Sequence, residues 1–312
     1  MIPALVLTAG LATRLRPLSF VRAKAAVPVA GEPLARRILR GLAAAGVTDV
    51  VLNLHHLPHT LTALIGDGSD AGVHVRYSWE VPVLGSAGGP RRALPLLGSS
   101  TFLVVNGDTL TDIDVAAVVA DHRRSGALVT MATISNDQPD KYGGLRVEGD
   151  GVMTGFVPRG SSDPSEHFIG VQVVEAEAFS SVPDNAVESV GTVYQALIAG
   201  RRGSIRTFHT SAEFFDIGTP DDYLRTSLLL GAREGRALHG EGTRVHASAR
   251  IEQSVLWDDV EVGEGTMLRQ CVVTDGVRVP ADTSWIGVTM RRPNGELAPG
   301  ERVIDGMAIC SL

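Results

Sequence analysis

Short apolar, β-branched runs alternate with stretches of helical spacing through the first half of the chain. Residues 3–8 (PALVLT), Asp49–Leu54 (DVVLNL), 73–79 (VHVRYSW) and 102–105 (FLVV) are nearly continuous in apolar side chains. That is the pattern of strands buried on both faces in a parallel sheet. Between them, 34–45, 59–65, 90–97 and Val115–Ser125 carry helical spacing and close on Gly or small polar residues. The alternation predicts crossover units in a doubly wound, mostly parallel, Rossmann-like α/β sheet with helices on both faces.

From 142 to 176 the texture changes. Residues 145–147 and 152–157, joined by 149–151, have the pattern of a hairpin, and 168–174 (FIGVQVV) that of a further strand. Together they predict an antiparallel insertion over the end of the sheet. Ile205–His209 then reads as another sheet strand, and 220–230 as an amphipathic helix opened by Thr219 or Asp221 near its N-cap. After about Arg233 an internal repeat sets in. Val245, Val262 and Val279 are 17 residues apart, and the same offset links Ile251 with Leu268, Val255 with Val272 and Val260 with Val277. The pairs Gln253-Ser254 and Gln270-Cys271 align as well. Apolar residues every four to six positions, with Gly, Asp or Pro between them, predict a short C-terminal left-handed β-helix of hexapeptide-type repeats. The competing interpretation is a hairpin or meander with chance periodicity. Two or so coils are too few to stand alone, so they should pack on the rest of the chain or on a second copy. Residues 284–312 read as terminal loops and a short strand or two closing the stack.

Composition narrows the partners. With 312 residues, 44% apolar and 20% charged, the chain can bury a sizeable core as one large domain or two. No apolar run approaches the roughly 18–20 residues of a membrane span. Residues 1–10 lack the basic start and small-residue cleavage site of a secretory leader. Cys271 and Cys310 are the only cysteines, too few for a disulfide framework or a cysteine zinc site, so a reducing cytoplasm is the expected compartment. A net charge of −7, from 28 basic and 35 acidic residues, points to neither nucleic acid nor a membrane surface as partner.

Candidate chemistry gathers where strands end. After the first strand comes Leu7-Thr8-Ala9-Gly10-Leu11-Ala12-Thr13-Arg14, a glycine-containing loop of the kind that lets backbone amides approach phosphates. Thr13 adds a hydroxyl and Arg14 a bidentate-capable guanidinium. Read blandly, it is an ordinary strand-to-helix turn. Lys24 stands in an apolar stretch, where it either meets an anion or snorkels outward. Leu84-Gly85-Ser86-Ala87-Gly88-Gly89 is a second Gly-rich turn before a helix. Asn106-Gly107-Asp108 ends the fourth strand, a position suited to a magnesium ligand or to a simple turn cap. Asp216 follows Phe214-Phe215 in a hydrophobic-flanked turn, costly for a charge unless a cation shares it. Two such aspartates converging on one Mg²⁺, with Arg14 and Lys24 taking the remaining charge, would suit a bound polyphosphate.

In combination, LTAGLATRLRPLS, VRAKAAVPVAGEPL, SWEVPVLGSAGG, VVNGDTL and FFDIGTPDDYL resemble the sugar-1-phosphate nucleotidyltransferases over residues 1 to about 281. Within them the likeness is to the mannose-1-phosphate guanylyltransferase type, whose sheet is glycosyltransferase-A-like. The resemblance implies a catalytic domain over 1–232, a linker over 233–243, and the β-helix plus tail over 244–312. It implies Mg²⁺-assisted attack of a sugar 1-phosphate on the α-phosphate of an NTP, GTP being favoured, with pyrophosphate leaving. Leu7, Ala9, Gly10, Leu11, Ala12, Thr13, Gly85, Ser86, Gly88 and Asn106 would then hold the nucleotide, and Arg14 and Lys24 the reacting phosphates. Tyr142, Gly143, Gly144, Arg159 and Gly170 would line the sugar-phosphate pocket, with Asp108 and Asp216 as the metal pair. The β-helix would be a surface for self-association.

Three stretches depart from the family pattern. Ala12 replaces a glycine, Ala23 and Ala25 replace prolines beside the lysine, and Phe156-Val157-Pro158-Arg159-Gly160 replaces a Phe-Val-Glu-Lys-Pro segment at the sugar site. Other residues have simpler readings. His55, His56 and His59 form a loop without a carboxylate placed to complete a metal site, and Asp112-Ile113-Asp114 contains an N-cap for the following helix. Trp79 and Glu80 either line the nucleotide pocket or close their strand. The competing functions are a thymidylyl- or other-sugar transferase, a glycosyltransferase consuming an NDP-sugar, and a non-catalytic NDP-sugar sensor.

Overall fold

The computed structural model describes residues 2–183 and 185–312, so Met1, where the leader reading starts, lies outside the described residues. By contact the chain groups into two units. The first comprises Met1–Gly10, Ile38–Pro58 and Ile65–Phe215, and the second Leu11–Arg37, His59–Leu64 and Asp216–Leu312.

The first unit is built on a nine-stranded sheet. Its parallel part uses β1 (Ala4–Leu7), β2 (Asp49–Leu54), β3 (His74–Trp79) and β4 (Thr101–Asn106), in the spatial order β3-β2-β1-β4. These are the four runs that the apolar pattern marks. Leu5, Val51, Phe102 and Val104 bury completely or nearly so in one core with α1 (Gly85–Leu97). The helix α2 (Val115–Ser125) follows Asp114, whose carboxylate accepts from the Ala117 N–H at 3.0 Å, the expected N-cap.

Three elements differ from expectation. β5 (Val129–Ser135), buried over its first five residues, is a strand with no counterpart in the sequence reading. Thr130 and Thr133 interrupt its apolar run and hide it. Both are fully buried, Thr130 against the His122 imidazole (2.9 Å) and Thr133 donating to Glu166 (2.5 Å). Next, β6 (Gly144–Val147), β7 (Met153–Val157) and β8 (Glu166–Glu175) do not lie over the sheet as an insertion; they extend it. The ten-residue β8 pairs antiparallel with β4 on one side and β5 on the other, which turns a parallel sheet into a mixed one, and β9 (Ile205–His209) adds parallel to β5. Finally, α1 begins at Gly85, five residues before the periodic stretch, because glycines carry no apolar signal that periodicity can register.

The second unit contains the solenoid. Parallel strands stack in three sheets at the 17-residue offset: Val245 on Val262 on Val279, Ile251 on Leu268 on Trp285, and Val255 on Val272 on Thr289. Gln253 and Gln270, aligned in the repeat, both take left-handed φ (+45° and +53°) at one corner, and Ser254 Oγ accepts the N–H of Cys271 one coil above. Cys271 and Cys310 are free thiols, and burial pushes that of Cys271 up. The tail closes the stack: Met307–Ser311 runs antiparallel to Val288–Arg291, and Arg291 and Glu301 form a completely buried ion pair. The helix α3 (Pro220–Glu234), capped by Thr219 accepting from Asp222 N–H (3.1 Å), leads into the solenoid. Among the described residues, no helix is long and apolar enough to cross a membrane.

Candidate active site

Side by side in the sheet, β1 and β4 bring Leu7 and Asn106 into register at their carboxyl ends, where open α/β sheets hold ligands. Gly107 makes the approach possible, since a Cβ there would stand 2.5 Å from the Leu7 carbonyl oxygen and 2.7 Å from Thr8. Asp108 follows, half-buried, at the strand end where the sequence places it. Gly170 presses on the same spot from the bulge in β8. Its φ is +87°, and a Cβ would meet Thr109 Oγ1 at 2.5 Å and Asn106 at 3.0 Å, so only glycine fits.

A cavity of about 490 Å³ opens beside these ends within the first unit. It brings Leu7, Ser86 and Asn106, expected on the nucleotide side, together with Gly143, Gly144 and Arg159, expected on the sugar side. Arg159 is exposed at the rim, and its Nε donates to the Asp140 carbonyl (2.8 Å), which orients the guanidinium. Phe156 and Phe168 form apolar wall, while Gln172 and Ser189 supply polar atoms. Tyr142 and Gly170 are not among the lining residues. Tyr142 instead stacks on His167 (centroids 4.3 Å apart), and Phe214 meets that ring edge-on at 4.8 Å. Burial lowers the His167 pKa from its ordinary value.

Behind the cavity a buried polar chain joins the two expected nucleotide loops. Asn53 Oδ1 accepts the N–H groups of Thr8 (2.6 Å) and Ala9 (3.3 Å), and its Nδ2 donates to Glu80 Oε1 (2.8 Å). Glu80, 1% exposed, accepts the Leu84 N–H on its other oxygen (2.8 Å). With both carboxyl oxygens acting as acceptors, the Asn53 amide has only one orientation that satisfies Thr8 and Ala9. Gly89 leaves the room this needs, because a Cβ there would lie 2.7 Å from Glu80 and 2.9 Å from Asn53. Glu80 is therefore a strut, and Trp79 beside it is 54% exposed.

Gly85 and Gly88 face the backbone at 185–188 rather than the cavity, and Ala87 N–H donates to the Val187 carbonyl (2.9 Å). Ser86 reaches the cavity, with its Oγ donating to Glu188 (2.7 Å) and accepting the Ser189 N–H (2.8 Å). Gln172 and Tyr194, missed at the sequence level, are paired in the cavity wall by a 2.8 Å bond from the phenol, whose pKa burial drives up. A lone Gln inside FIGVQVV was a legible signal. Tyr194 offered none.

Gly10 belongs to the first unit and is exposed. Leu11, Ala12, Thr13, Arg14, Lys24 and Asp216 belong to the second. There Ala12 adopts φ +49° and ψ +44°, so the loop keeps the left-handed geometry without the usual glycine, at a cost of roughly 1 kcal/mol. The exposed Thr13 and Arg14 form the 3₁₀ turn that follows, and Ser19 Oγ ties the loop by donating to the Ala12 carbonyl (2.9 Å).

No group of three or more His, Cys, Asp or Glu side chains among the described residues is placed to hold a metal unaided. The chemistry of the Asp108 and Asp216 carboxylates still fits Mg²⁺, which retains waters and takes substrate phosphate oxygens to complete an octahedron. Gly218 leaves the Asp216 carboxylate its space, since a Cβ there would stand 2.7 Å from Oδ2.

Residues 3–232 match the family model described as Nucleotidyl transferase, and residues 225–295 the one described as GlmU-like, C-terminal hexapeptide. The mannose-1-phosphate guanylyltransferase of Mycobacterium tuberculosis is 31% identical over 293 residues, covering 90% of this chain and 82% of that protein. The N-acetylmuramate alpha-1-phosphate uridylyltransferase of Neisseria meningitidis serogroup B is 33% identical over 73% of this chain and 98% of its own. In fold, the chain resembles HddC from Yersinia pseudotuberculosis complexed with GMP-PN, with a TM-score of 0.65 and 23% identity over 74% of this chain and 100% of that one.

Proposed function

The chain belongs to the nucleotidyl transferase family and is a sugar-1-phosphate nucleotidyltransferase with a left-handed hexapeptide β-helix; on that premise we propose that it transfers GMP from GTP to mannose 1-phosphate. The observation that carries this reading is the single cavity lined at once by Leu7, Ser86 and Asn106 and by Gly143, Gly144 and Arg159. Such a cavity suits a nucleotide and a sugar phosphate meeting end to end. The guanylyl and mannosyl assignment is supported by the likeness to the Mycobacterium tuberculosis enzyme.

In the proposed reaction an oxygen of the sugar phosphate attacks the α-phosphorus in line. A new P–O bond forms, the α–β bond breaks, and pyrophosphate carries away the electron pair. No general base is required, because the attacking phosphate is already ionised near neutral pH, its second pKa being about 6. The residues therefore act by positioning and charge. Arg14 binds the triphosphate, Lys24 neutralises charge as it shifts toward the leaving group, and Arg159 takes the sugar phosphate, replacing the lysine of the family segment. The Asn53–Glu80 strut holds the Thr8 and Ala9 amides in place. Asp108 and Asp216 are the residues that would hold Mg²⁺, which when bound supplies charge neutralisation along the triphosphate. We assign the transfer chemistry to 1–232, the linker to 233–243 and the solenoid to 244–312, and a cytoplasmic location suits these substrates.

A matrix of GTP, UTP, dTTP and ATP against mannose, glucose and N-acetylmuramate 1-phosphates, read by pyrophosphate release, tests the reading. GTP with mannose 1-phosphate should give the highest kcat/KM, and Arg159→Ala should raise KM for the sugar phosphate about tenfold or more. Preference for another pair would replace the guanylyl assignment. We also propose that the chain self-associates through the solenoid, whose Ile286, Val303 and Ile304 are exposed. Light scattering at micromolar concentration should show at least a dimer, and a clean monomer would remove this idea.

A further inference from the structure

Arg22 is two residues before Lys24 and is held by the solenoid. Its Nε and Nη2 donate to the two carboxylate oxygens of Asp275, each at 2.7 Å, and Nη2 also donates to Asp258 at 2.6 Å. The guanidinium lies over the Trp257 ring at 5.3 Å, and the Arg22 side chain is only 11% exposed. Asp258 and Asp275 occupy equivalent positions on successive coils, 17 residues apart, so the stack itself sets the spacing of the two carboxylates. The far side of the lysine segment is tied to the same coil. Tyr223 OH donates to the Pro28 carbonyl (2.7 Å) and accepts the Trp257 indole N–H (2.8 Å). Between these anchors Lys24 opens a short 3₁₀ turn, Lys24–Ala26, and Ala23 N–H donates to Thr60 Oγ1 at 3.0 Å. Ala23 and Ala25 leave φ unrestrained by their own chemistry, so these tertiary contacts set the turn.

We propose that Arg22, clamped by Asp258 and Asp275, is a positioning residue that makes the β-helix part of the catalytic machinery by fixing the Lys24 turn. This deepens the functional reading and rests on its assignment of Lys24. A bidentate fork fixes a direction as well as a distance, and a small misplacement of a charge that acts in the transition state costs turnover rather than affinity. All contacts in the argument lie within the second unit.

Five full-length variants test it: Arg22→Lys, Asp275→Asn, Asp258→Asn, Lys24→Gln and the double variant Arg22→Lys/Lys24→Gln, assayed well below each one's melting temperature. Arg22→Lys and Asp275→Asn should lower kcat about tenfold with KM for the NTP within twofold. In the Lys24→Gln background, Arg22→Lys should cost nothing further, because it acts through that lysine. Asp258→Asn keeps the Asp275 fork and hence the fold, and should lower kcat about two- to threefold even if the stronger variants do not fold. Unchanged kcat in folded Arg22→Lys and Asp258→Asn, with melting temperature alone reduced, makes the clamp purely structural and overturns the proposal. So does a full tenfold loss on top of Lys24→Gln. Normal turnover in Lys24→Gln itself sinks the lysine assignment and the clamp's role with it, whereas a poor Lys24→Gln beside a normal Arg22→Lys sinks the clamp alone.

Discussion

Asp108→Asn and Asp216→Asn should each lower turnover about 10²–10³-fold, the size of loss seen when one preorganised charge stabiliser is removed from a transition state. Asparagine keeps shape and hydrogen-bonding reach but removes the negative charge that draws a hard divalent cation. Both side chains are only half-buried, so the fold should hold, with melting temperatures within about 2 °C of the parent. Chelation by excess EDTA should stop pyrophosphate release, and added Mg²⁺ should restore it in the parent far better than in either variant. The measurement is steady-state kcat across a Mg²⁺ titration. Should either asparagine variant match the parent at saturating Mg²⁺, that aspartate is no metal ligand and the paired-carboxylate reading fails.

The largest stability effect is expected at the end of the solenoid. The Arg291 and Glu301 side chains are both 0% exposed, and they meet in a two-armed pair, Nε to Oε1 and Nη2 to Oε2, each at 2.8 Å. The remaining donors of Arg291 are used by Asn294 and the carbonyls of Arg292 and Glu296, and Glu301 also accepts the Ala298 N–H at 2.6 Å. Glu301→Ala strips the counter-charge and leaves a guanidinium in the interior, a change that costs about 3–5 kcal/mol. The solenoid transition should move down by roughly 10 °C in a thermal melt followed by circular dichroism. Replacing both partners, Arg291→Met with Glu301→Leu, should recover much of that loss, because the cost is an unpaired buried charge and not a missing contact. A Glu301→Ala melt within 2 °C of the parent would contradict this account.

Much of this architecture was legible because burial writes a period into the chain. Four apolar runs predicted the four parallel strands, and the 17-residue offset predicted the stacking of Val245, Val262 and Val279, of Ile251 on Leu268 and of Val255 on Val272, though not the third-coil partners Trp285 and Thr289. The site was legible in part. Asn106, Gly107 and Asp108 end a strand that the pattern marks, so their place at the sheet's carboxyl edge follows from the strand itself. β5 escaped because two buried threonines, satisfied by partners 8 and 33 residues away, break the apolar signal. The Glu80 strut escaped because pocket lining and strand closure, the two readings open for Trp79-Glu80, both leave out its buried partners Asn53 and the Leu84 N–H.

On its own, the sequence determined the parallel strands, the coiled repeat and the family, since each depends on which face of a local element meets the core. Only the tertiary structure decided that residues 11–37 group with the solenoid, that Arg22 is gripped across 236 and 253 residues of chain, and that β6, β7 and β8 continue the main sheet. Those outcomes turn on polar pairings and strand edges between remote segments. A hydrogen bond fixes direction and partner without imposing any period on the residues that make it.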